Sequence, residues 1–185
     1  SVGEKLLSLI ILKRIQKAAY GEVDGRQKGS VQGSSCRHAV FRLMRDMEKA
    51  MKCGDEAVYL FIDFRKAYDS LCWTKMHTIL AQLGLPRELG GVLQRMYEGS
   101  TFRLKLGRDK LSEKIKQESG IRQGSSLSPL VFILVLQWAL QRFEETAIKE
   151  GKWTRQQVEA MVLTWLGYVD DIAVKAKGEK EAQEI

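Results

Sequence analysis

The apolar residues in the first third of the chain recur at helical spacing. A first stripe predicts an amphipathic helix over residues 4–19; its members are Leu6, Leu9, Ile10 and Ile15. A second stripe predicts a helix that begins near Ser34 or Ser35 as its cap and ends at Gly54; its members are Val40, Leu43, Met44, Met47 and Met51. The Gly- and Ser-rich segment 21–35 between the two stripes predicts a loop or hairpin.

The middle of the chain alternates short strands with helices. Residues 57–64 form a run of β-branched and aromatic side chains that predicts a buried strand with Asp63 near its end. Helices are predicted over 69–83 and 87–98. Alternating apolar and basic residues over 102–106 and 111–117 predict a β-hairpin.

The last third combines one long helix with two short strands. Ser128 followed by Pro129 is typical of a helix start, and this helix is predicted to run to about Glu150. A short helix is predicted over 153–161, and two strands over 163–168 and 172–176. This order of elements predicts an α+β fold rather than a doubly wound sheet.

The composition indicates a folded chain with a net positive charge. The chain has 185 residues, of which 44% are hydrophobic, and this excludes a wholly disordered chain. Its net charge is +7, and residues 1–54 alone carry 11 basic and 5 acidic side chains. This excess predicts a polyanionic partner at the first third. The uncharged segment 123–141 contains an apolar run too short to span a bilayer, so we expect no membrane contact.

The three cysteines indicate a compartment rather than a site. They form no CxxC pair, and the two histidines complete no zinc pattern. An odd number of such cysteines favours a reducing environment, and we expect an intracellular protein of the nucleus or cytoplasm.

Two acidic positions adjoin apolar strands. Asp63 follows one predicted strand, and Asp170 and Asp171 lie between two others. Carboxylates at buried strand ends are unfavourable without compensation, and a divalent cation would also relieve the repulsion between the adjacent pair. Oxygen ligands without nearby His or Cys suit Mg²⁺ or Mn²⁺. The alternatives are an ordinary hairpin turn at 170–171 and an Asx-turn or helix N-cap at Asp63.

A Gly- and Ser-rich loop over 119–129 opens into the long helix. Such a loop lets backbone approach a ligand closely and offers N–H groups to a phosphate or base. Arg122 and Gln123 would place a cation and an amide at its rim. The alternative is a plain capped loop.

Taken together, these segments resemble the reverse transcriptases, in particular those of non-LTR (LINE-type) retrotransposons. FIDFRKAYDS at 61–70 resembles motif A of that family, SGIRQGSSLSPLVF at 119–132 resembles motif B, and YVDD at 168–171 resembles motif C. The residues upstream of motif A that are similar to the family's fingers motif are Gln27, Gly29, Gly33, Ser35 and Cys36.

The resemblance implies a right-hand polymerase fold of the α+β class. Residues 1–54 would form a fingers portion, and residues 55–185 a palm with inserted fingers-side elements. The palm would be an antiparallel sheet backed by helices, with an RRM-like (ferredoxin-like) core. The thumb and primer grip would lie beyond Ile185, in the remainder of a larger polyprotein. Without them we expect the fragment to bind a primer–template duplex poorly, which can leave it inactive.

The resemblance also implies the chemistry of an RNA-directed DNA polymerase, with an RNA template, a DNA primer and dNTPs. Asp63, Asp170 and Asp171, together with the backbone carbonyl of Phe64, would bind two Mg²⁺ ions, or Mn²⁺ in their place. One ion would lower the pKa of the primer 3′-OH, and the other would hold the triphosphate.

Further site residues follow from the same resemblance. Tyr68 would be a steric gate that stacks under the sugar and rejects a 2′-OH, unless it is simply a core aromatic residue. The other nucleotide contacts would come from Arg65, Gln123 and Gly124, although Arg65 can also be read as a solvated surface residue. The nucleic-acid contacts would come from basic side chains, namely Arg26, Lys28, Arg37 and Arg122.

The chain departs from the family pattern at several positions. Gly29-Ser30-Val31 stands where the family usually has Gly-Phe-Arg, and Lys175 interrupts a strand that is usually apolar. Two alternatives therefore stay open. The first is an RNA-directed RNA polymerase, against which the bulky Tyr68 argues; the second is a non-catalytic nucleic-acid-binding remnant, which the altered fingers loop favours.

Overall fold

The computed structural model describes residues 2–19, 23–108, 110–151, 154–156, 164–176 and 178–184. Six helices and five strands are assigned in these ranges, which confirms the predicted mixture of helix and sheet. In chain order they are α1 (Val2–Ala19), α2 (Cys36–Cys53), β1 (Val58–Ile62), α3 (Trp73–Gln82), α4 (Arg87–Glu98), β2 (Thr101–Phe102), β3 (Ile115–Lys116), α5 (Ser128–Lys149), β4 (Thr164–Tyr168), β5 (Asp171–Ala176) and α6 (Glu179–Glu184).

The chain divides into two compact units. Unit 1 comprises Ser1–Glu22 and Lys66–Ser128, and unit 2 comprises Val23–Arg65 and Pro129–Ile185. Unit 1 therefore holds α1, α3, α4 and the antiparallel β2–β3 pair. Its core includes Met76 and Leu80 of α3, and Leu93 of α4, all of which are fully buried. The ring of Trp73 lies 6.1 Å from that of Tyr97, where α3 meets α4.

Unit 2 is built on an antiparallel sheet with the strand order β1-β5-β4. The register pairs Leu60 with Val174, and Val174 in turn with Trp165. These residues share one face of the sheet, and Leu136 and Leu140 of α5 pack on that face. The opposite face carries Tyr59 and Lys175, which contact Asp46 of α2. The sheet is thus flanked by a helix on each face.

Several predictions of burial are wrong, although the elements themselves are present. On α1, Leu6, Leu9 and Ile10 are exposed, and the buried residues are Ser8, Ile11 and Ile15. On α2 the buried residues are Ala39 and Ala50, whereas Met51 is 82% exposed. The predicted buried strand is β1, but it lies at the sheet edge and its Phe61 is 70% exposed. Periodicity located these helices and this strand, but not the face that each one buries.

The remaining predicted elements differ in extent. The predicted helix over 87–98 is confirmed by α4, and the predicted hairpin is reduced to β2–β3 with one further bridge between Lys105 and Leu111. Most of the helix predicted over 153–161 lies outside the described residues. No helix in the described part of the chain combines the length and apolarity that crossing a membrane requires.

Lys175, which breaks the apolar pattern of β5, forms a polar link between the sheet and α2. Its Nζ lies 2.9 Å from the Asp46 carboxylate, and the Tyr59 hydroxyl donates to the same carboxylate at 2.7 Å. Partial burial opposes the ionisation of Asp46, but the hydrogen bonds from Lys175 and Tyr59 outweigh it and lower the Asp46 pKa below its ordinary value of 3.8. Lys175 therefore has a structural reason to be in this strand.

This link predicts a pH-dependent stability. Because the pKa of Asp46 is lower in the folded state, its contribution is present above the unfolded-state pKa and is lost as the pH falls through the folded value. We expect Asp46→Asn to lower the free energy of unfolding at pH 7 by up to about 1 kcal/mol, since the pair is partly exposed. Urea unfolding at pH 7 and at pH 3 measures the difference, which should shrink at pH 3. Glu48→Gln, at an exposed position of the same helix, is the control; an equal loss for Asp46→Asn at both pH values would contradict the prediction.

Candidate active site

The turn between β4 and β5 carries two of the predicted carboxylates. The strands pair as far as Tyr168 and Asp171, so Val169 and Asp170 form a two-residue hairpin loop. Val169 has a φ of 60°, in the left-handed region. A positive φ at the first loop position is typical of a type II′ turn, where glycine is the usual residue, and β-branched side chains rarely adopt it. The backbone at Val169 is therefore strained.

The third carboxylate lies directly after the neighbouring strand. β1 pairs with β5 as far as Ile62 and Ile172, so Asp63 leaves β1 at the end of the sheet where Asp171 begins β5. If this register is continued by one residue, Asp63 lies opposite Asp171. Residues opposite each other in an antiparallel pair point to the same face, so the two carboxylates share one face. Both residues line a cavity of about 270 Å³, and the other lining residues include Phe61 and Ala173.

These carboxylates are more accessible to solvent than the sequence predicts. Asp63 and Asp171 are exposed, and Asp170 is half-buried. The prediction that burial forces their compensation is wrong, because solvent reaches the open end of the sheet. Phe64, the predicted backbone ligand, packs its ring edge-on against Phe132 at 6.4 Å.

The carboxylates at this end of the sheet offer only oxygen donors to a metal ion. Within the described residues, no group of three or more His, Cys, Asp or Glu side chains is close enough to form a ready-made metal site. Two carboxylates on one cavity, with a third on the adjoining turn, are nevertheless an all-oxygen set. Such donors fit a hard cation such as Mg²⁺, which keeps several waters and needs few protein ligands.

A segment of the predicted fingers motif runs beside this turn. The N–H of Lys28 donates to the carbonyl of Gly167 at 2.7 Å, and the N–H of Gly167 donates to the carbonyl of Arg26 at 3.1 Å. Gln27 is thereby bridged in parallel to β4. The sequence motif included Gln27 and Gly29, but their position beside the turn could not be predicted from it, because Val169 of the turn lies 142 residues beyond Gln27 along the chain.

Arg26, predicted to contact nucleic acid, instead forms ion pairs within unit 2. Its side chain is 14% exposed, and its guanidinium lies 2.6 Å from Asp24, 3.4 Å from Glu144 and 4.5 Å from the ring centre of Trp165. Two carboxylates already neutralise its charge, so a further contact with a phosphate is unfavourable. We therefore revise the prediction for Arg26 to a structural role in unit 2. Among the other predicted basic contacts of this unit, Lys28 is half-buried, whereas Arg37 and Arg65 are exposed.

In unit 1, the Gly- and Ser-rich loop is tied to the segment that contains Tyr68. The N–H of Gly120 donates to the carbonyl of Leu71 at 2.8 Å, and the N–H of Ile121 donates to the carbonyl of Tyr68 at 2.9 Å. The indole N–H of Trp73 donates to the carbonyl of Gly120 at 2.6 Å. Tyr68 itself is half-buried. These bonds give the start of the loop a defined position within its unit.

The rim of this loop is open to solvent. Gln123 and Gly124 are exposed, Arg122 is half-buried, and Gly124 has a φ of 78°. Arg122 and Gln123 line a groove of about 800 Å³ together with Lys116. Ser128 was predicted to cap α5, but its hydroxyl donates to the carbonyl of Arg122 at 2.7 Å and so tethers the loop to the start of the helix.

The family model for reverse transcriptase (RNA-dependent DNA polymerase) matches residues 1–185. The chain belongs to the reverse transcriptase family. This reverse transcriptase chain is similar to the retrovirus-related Pol polyprotein from type-1 retrotransposable element R2 of Nasonia vitripennis, with 27% identity over 185 residues, covering 99% of the chain and 17% of the relative. It is also 27% identical, over 136 residues, to the Pol polyprotein from type-2 element R2DM of Drosophila melanogaster, covering 74% of the chain and 13% of that protein.

These relatives confirm the predicted resemblance to non-LTR retrotransposon enzymes. The chain spans 17% of the first relative and 13% of the second, so it corresponds to only a small part of each.

Solved structures confirm the polymerase fold of this reverse transcriptase chain. Telomerase from Candida albicans, solved with the TWJ fragment of telomeric RNA, matches with a TM-score of 0.65 at 13% identity, covering 96% of this chain and 32% of that one. Apo telomerase from Candida tropicalis, truncated from its C-terminal domain, gives a TM-score of 0.63 at 14% identity, covering 99% and 35%.

Proposed function

We propose that this chain is the catalytic domain of an RNA-directed DNA polymerase encoded by a retrotransposon, which adds dNTPs to the 3′-OH of a DNA primer on an RNA template. One observation carries the proposal. In a chain of the reverse transcriptase family, Asp63, directly after β1, and Asp171, at the start of β5, line one cavity, and Asp170 lies on the turn between β4 and β5. Under this proposal, the remainder of a larger polyprotein supplies further functions.

The sheet of unit 2 fits the proposed palm. Its antiparallel strands carry the carboxylates at one end, and α5 backs one face of the sheet, as a helix of an RRM-like palm core would. We propose that residues 1–54 contribute a fingers portion and residues 55–185 the palm with its inserted elements.

Two Mg²⁺ ions, or Mn²⁺, are the proposed cofactors. Asp63, Asp170, Asp171 and the carbonyl of Phe64 would hold them. When bound, the ions supply positive charge that acidifies the primer hydroxyl and stabilises the leaving pyrophosphate. The chain itself contributes the carboxylates at the open end of the sheet, where solvent exposure leaves room for a triphosphate and a primer terminus.

Basic and polar side chains are the proposed contacts with nucleotide and nucleic acid. Exposed Arg65 would contact the triphosphate, and exposed Gln123 and Gly124 would pack against the incoming nucleotide. Lys28, Arg37 and Arg122 would contact the template or primer backbone, as the basic character of residues 1–54 favours.

The test is primer extension on poly(rA) annealed to oligo(dT), with the chain assayed inside a longer polyprotein that supplies the thumb and primer grip implied by the resemblance. The proposal predicts incorporation of dTTP that requires Mg²⁺ and is lost in Asp63→Ala. A preference for UTP over dTTP would instead indicate an RNA polymerase. Salt-sensitive binding of the RNA without any extension would indicate a non-catalytic nucleic-acid-binding remnant.

Tyr68 offers a separate prediction about sugar selection. If its half-buried ring forms the floor under the sugar, Tyr68→Ala removes the surface against which a 2′-OH collides. We expect the ratio of dTTP to UTP incorporation to fall by roughly 10- to 200-fold, the range that steric exclusion in a pocket achieves. Tyr68→Phe keeps the ring and should keep the wild-type ratio. An unchanged ratio in Tyr68→Ala would show that this residue is a core aromatic and not a gate.

A further inference from the structure

The buried side-chain amide of Gln27 forms hydrogen bonds with both the N–H and the carbonyl of Val169. Its Oε1 accepts from the N–H of Val169 at 2.9 Å and from the N–H of Gly29 at 2.8 Å. Its Nε2 donates to the carbonyl of Val169 at 3.2 Å. Gln27 is only 2% exposed, so water cannot readily replace these bonds. One side chain therefore satisfies both backbone polar groups of the residue that precedes Asp170.

Val169 is the residue of the turn that needs such support. Its φ of 60° is unfavourable for a β-branched side chain, and strain of this kind persists only where the surroundings impose it. Any other turn conformation would pull the N–H or the carbonyl of Val169 away from Gln27. It would leave buried polar atoms without partners, and this penalty opposes the change.

Two glycines allow the fingers segment to approach the turn this closely. A Cβ on Gly29 would lie 2.4 Å from the backbone nitrogen of Val169 and 2.5 Å from its Cγ2. A Cβ on Gly167 would lie 2.8 Å from Nε2 of Gln27. Since backbone atoms cannot yield at such distances, a larger residue at Gly29 would separate the segment from the turn.

We propose that Gln27 is a positioning residue for the catalytic turn. It fixes the strained backbone of Val169 and thereby the directions in which the Asp170 and Asp171 carboxylates point. The inference rests on the proposed polymerase function, because only there does the direction of these carboxylates matter. It also means that the altered fingers loop, Gly29-Ser30-Val31, supports the turn through close backbone packing. This role does not require the arginine that the family usually has in this loop.

The first experiment measures the contact itself. In Gln27→Ala, residue-resolved amide hydrogen exchange should show faster exchange at Val169 and Gly29, with little change along the rest of β4 and β5. Gln137→Ala is the matched control, because Gln137 is a buried glutamine of the same unit that accepts from the N–H of Asp24 at 2.7 Å. Unchanged protection at Val169 in Gln27→Ala would overturn the inference, whatever the activity of the variant.

The second experiment measures the consequence for catalysis. We expect Gln27→Ala to lower kcat about 10- to 100-fold and to raise the Mg²⁺ concentration for half-maximal activity, with little change in the KM for dTTP. Gln137→Ala should keep the wild-type Mg²⁺ requirement per folded molecule. A wild-type kcat and Mg²⁺ requirement in Gln27→Ala would overturn the positioning role.

A second variant and a separate readout cover a failure to fold and a lack of activity. Gln27→Met retains the volume of the side chain but removes the three hydrogen bonds, so it replaces Gln27→Ala if that variant does not fold. If the wild-type protein incorporates no nucleotide even with the thumb and primer grip supplied, the proposed function fails, whereas hydrogen exchange at Val169 still decides whether Gln27 positions the turn.

Discussion

Asp170→Asn is expected to abolish Mg²⁺-dependent incorporation of dTTP while leaving the fold intact. The substitution keeps the shape of the side chain and removes the charge that would hold a metal ion. Losing a residue that merely supports a metal ligand costs about 10- to 100-fold in activity, so the loss of a ligand should exceed 100-fold. Stability should change by no more than about 0.5 kcal/mol, since Asp170 lies on a surface turn and its removal relieves repulsion with Asp171.

The measurement is initial-rate primer extension at saturating dTTP, with thermal unfolding of each variant alongside. Asp63→Asn should lose activity to a similar extent, because Asp63 lines one cavity with Asp171. Asp55→Asn is the matched control, an exposed aspartate of the same unit that lies before β1 rather than after it. Extension by Asp170→Asn at the wild-type rate would refute the assignment of the turn to metal binding.

The sequence predicts the elements of this fold better than it predicts their burial. Local signals suffice for α4, which starts after Pro86, and for the end of α2, where Gly54 adopts a φ of 68°. Burial depends on which strand becomes an edge, and no local pattern contains that information. Phe61 looks like a core residue from its neighbours, yet β1 lies at the edge of a three-stranded sheet and leaves it exposed.

The same limit applies to the candidate site. The three motifs identify the carboxylates because their spacing resembles that of one family, whereas the physical argument from buried charge is wrong, since Asp63 and Asp171 are exposed. Contacts between residues far apart in the chain could not be predicted from the sequence. Arg26 pairs with Glu144 in addition to the nearby Asp24, and Gln27 contacts Val169 at a separation of 142 residues.

Gly120→Ala should cause the largest loss of stability among the substitutions considered, about 2–5 kcal/mol. Gly120 has a φ of 81°, which costs an alanine about 1–2 kcal/mol. Its added Cβ would also lie 2.8 Å from Cα and 2.9 Å from the carbonyl oxygen of Asp69, and these are backbone atoms that cannot rotate away. Relieving the clash must disturb the hydrogen bonds that join the loop to Tyr68 and Leu71, so the cost of overpacking adds to the strain.

Gly84→Ala separates the two causes. Gly84 belongs to the same unit and has a φ of 80°, but an added Cβ would meet nothing within 4 Å. Its substitution should therefore cost only the strain, about 1 kcal/mol after the smaller entropy of the unfolded alanine chain is counted. Urea unfolding of both variants gives the difference, which measures how tightly the loop is held against the Tyr68 segment. Equal losses for Gly84→Ala and Gly120→Ala would mean that the loop can move away from Asp69 at little cost. The bonds from Gly120 and Ile121 would then not hold the Tyr68 segment in place, and a steric gate at Tyr68 would need support from elsewhere in the protein.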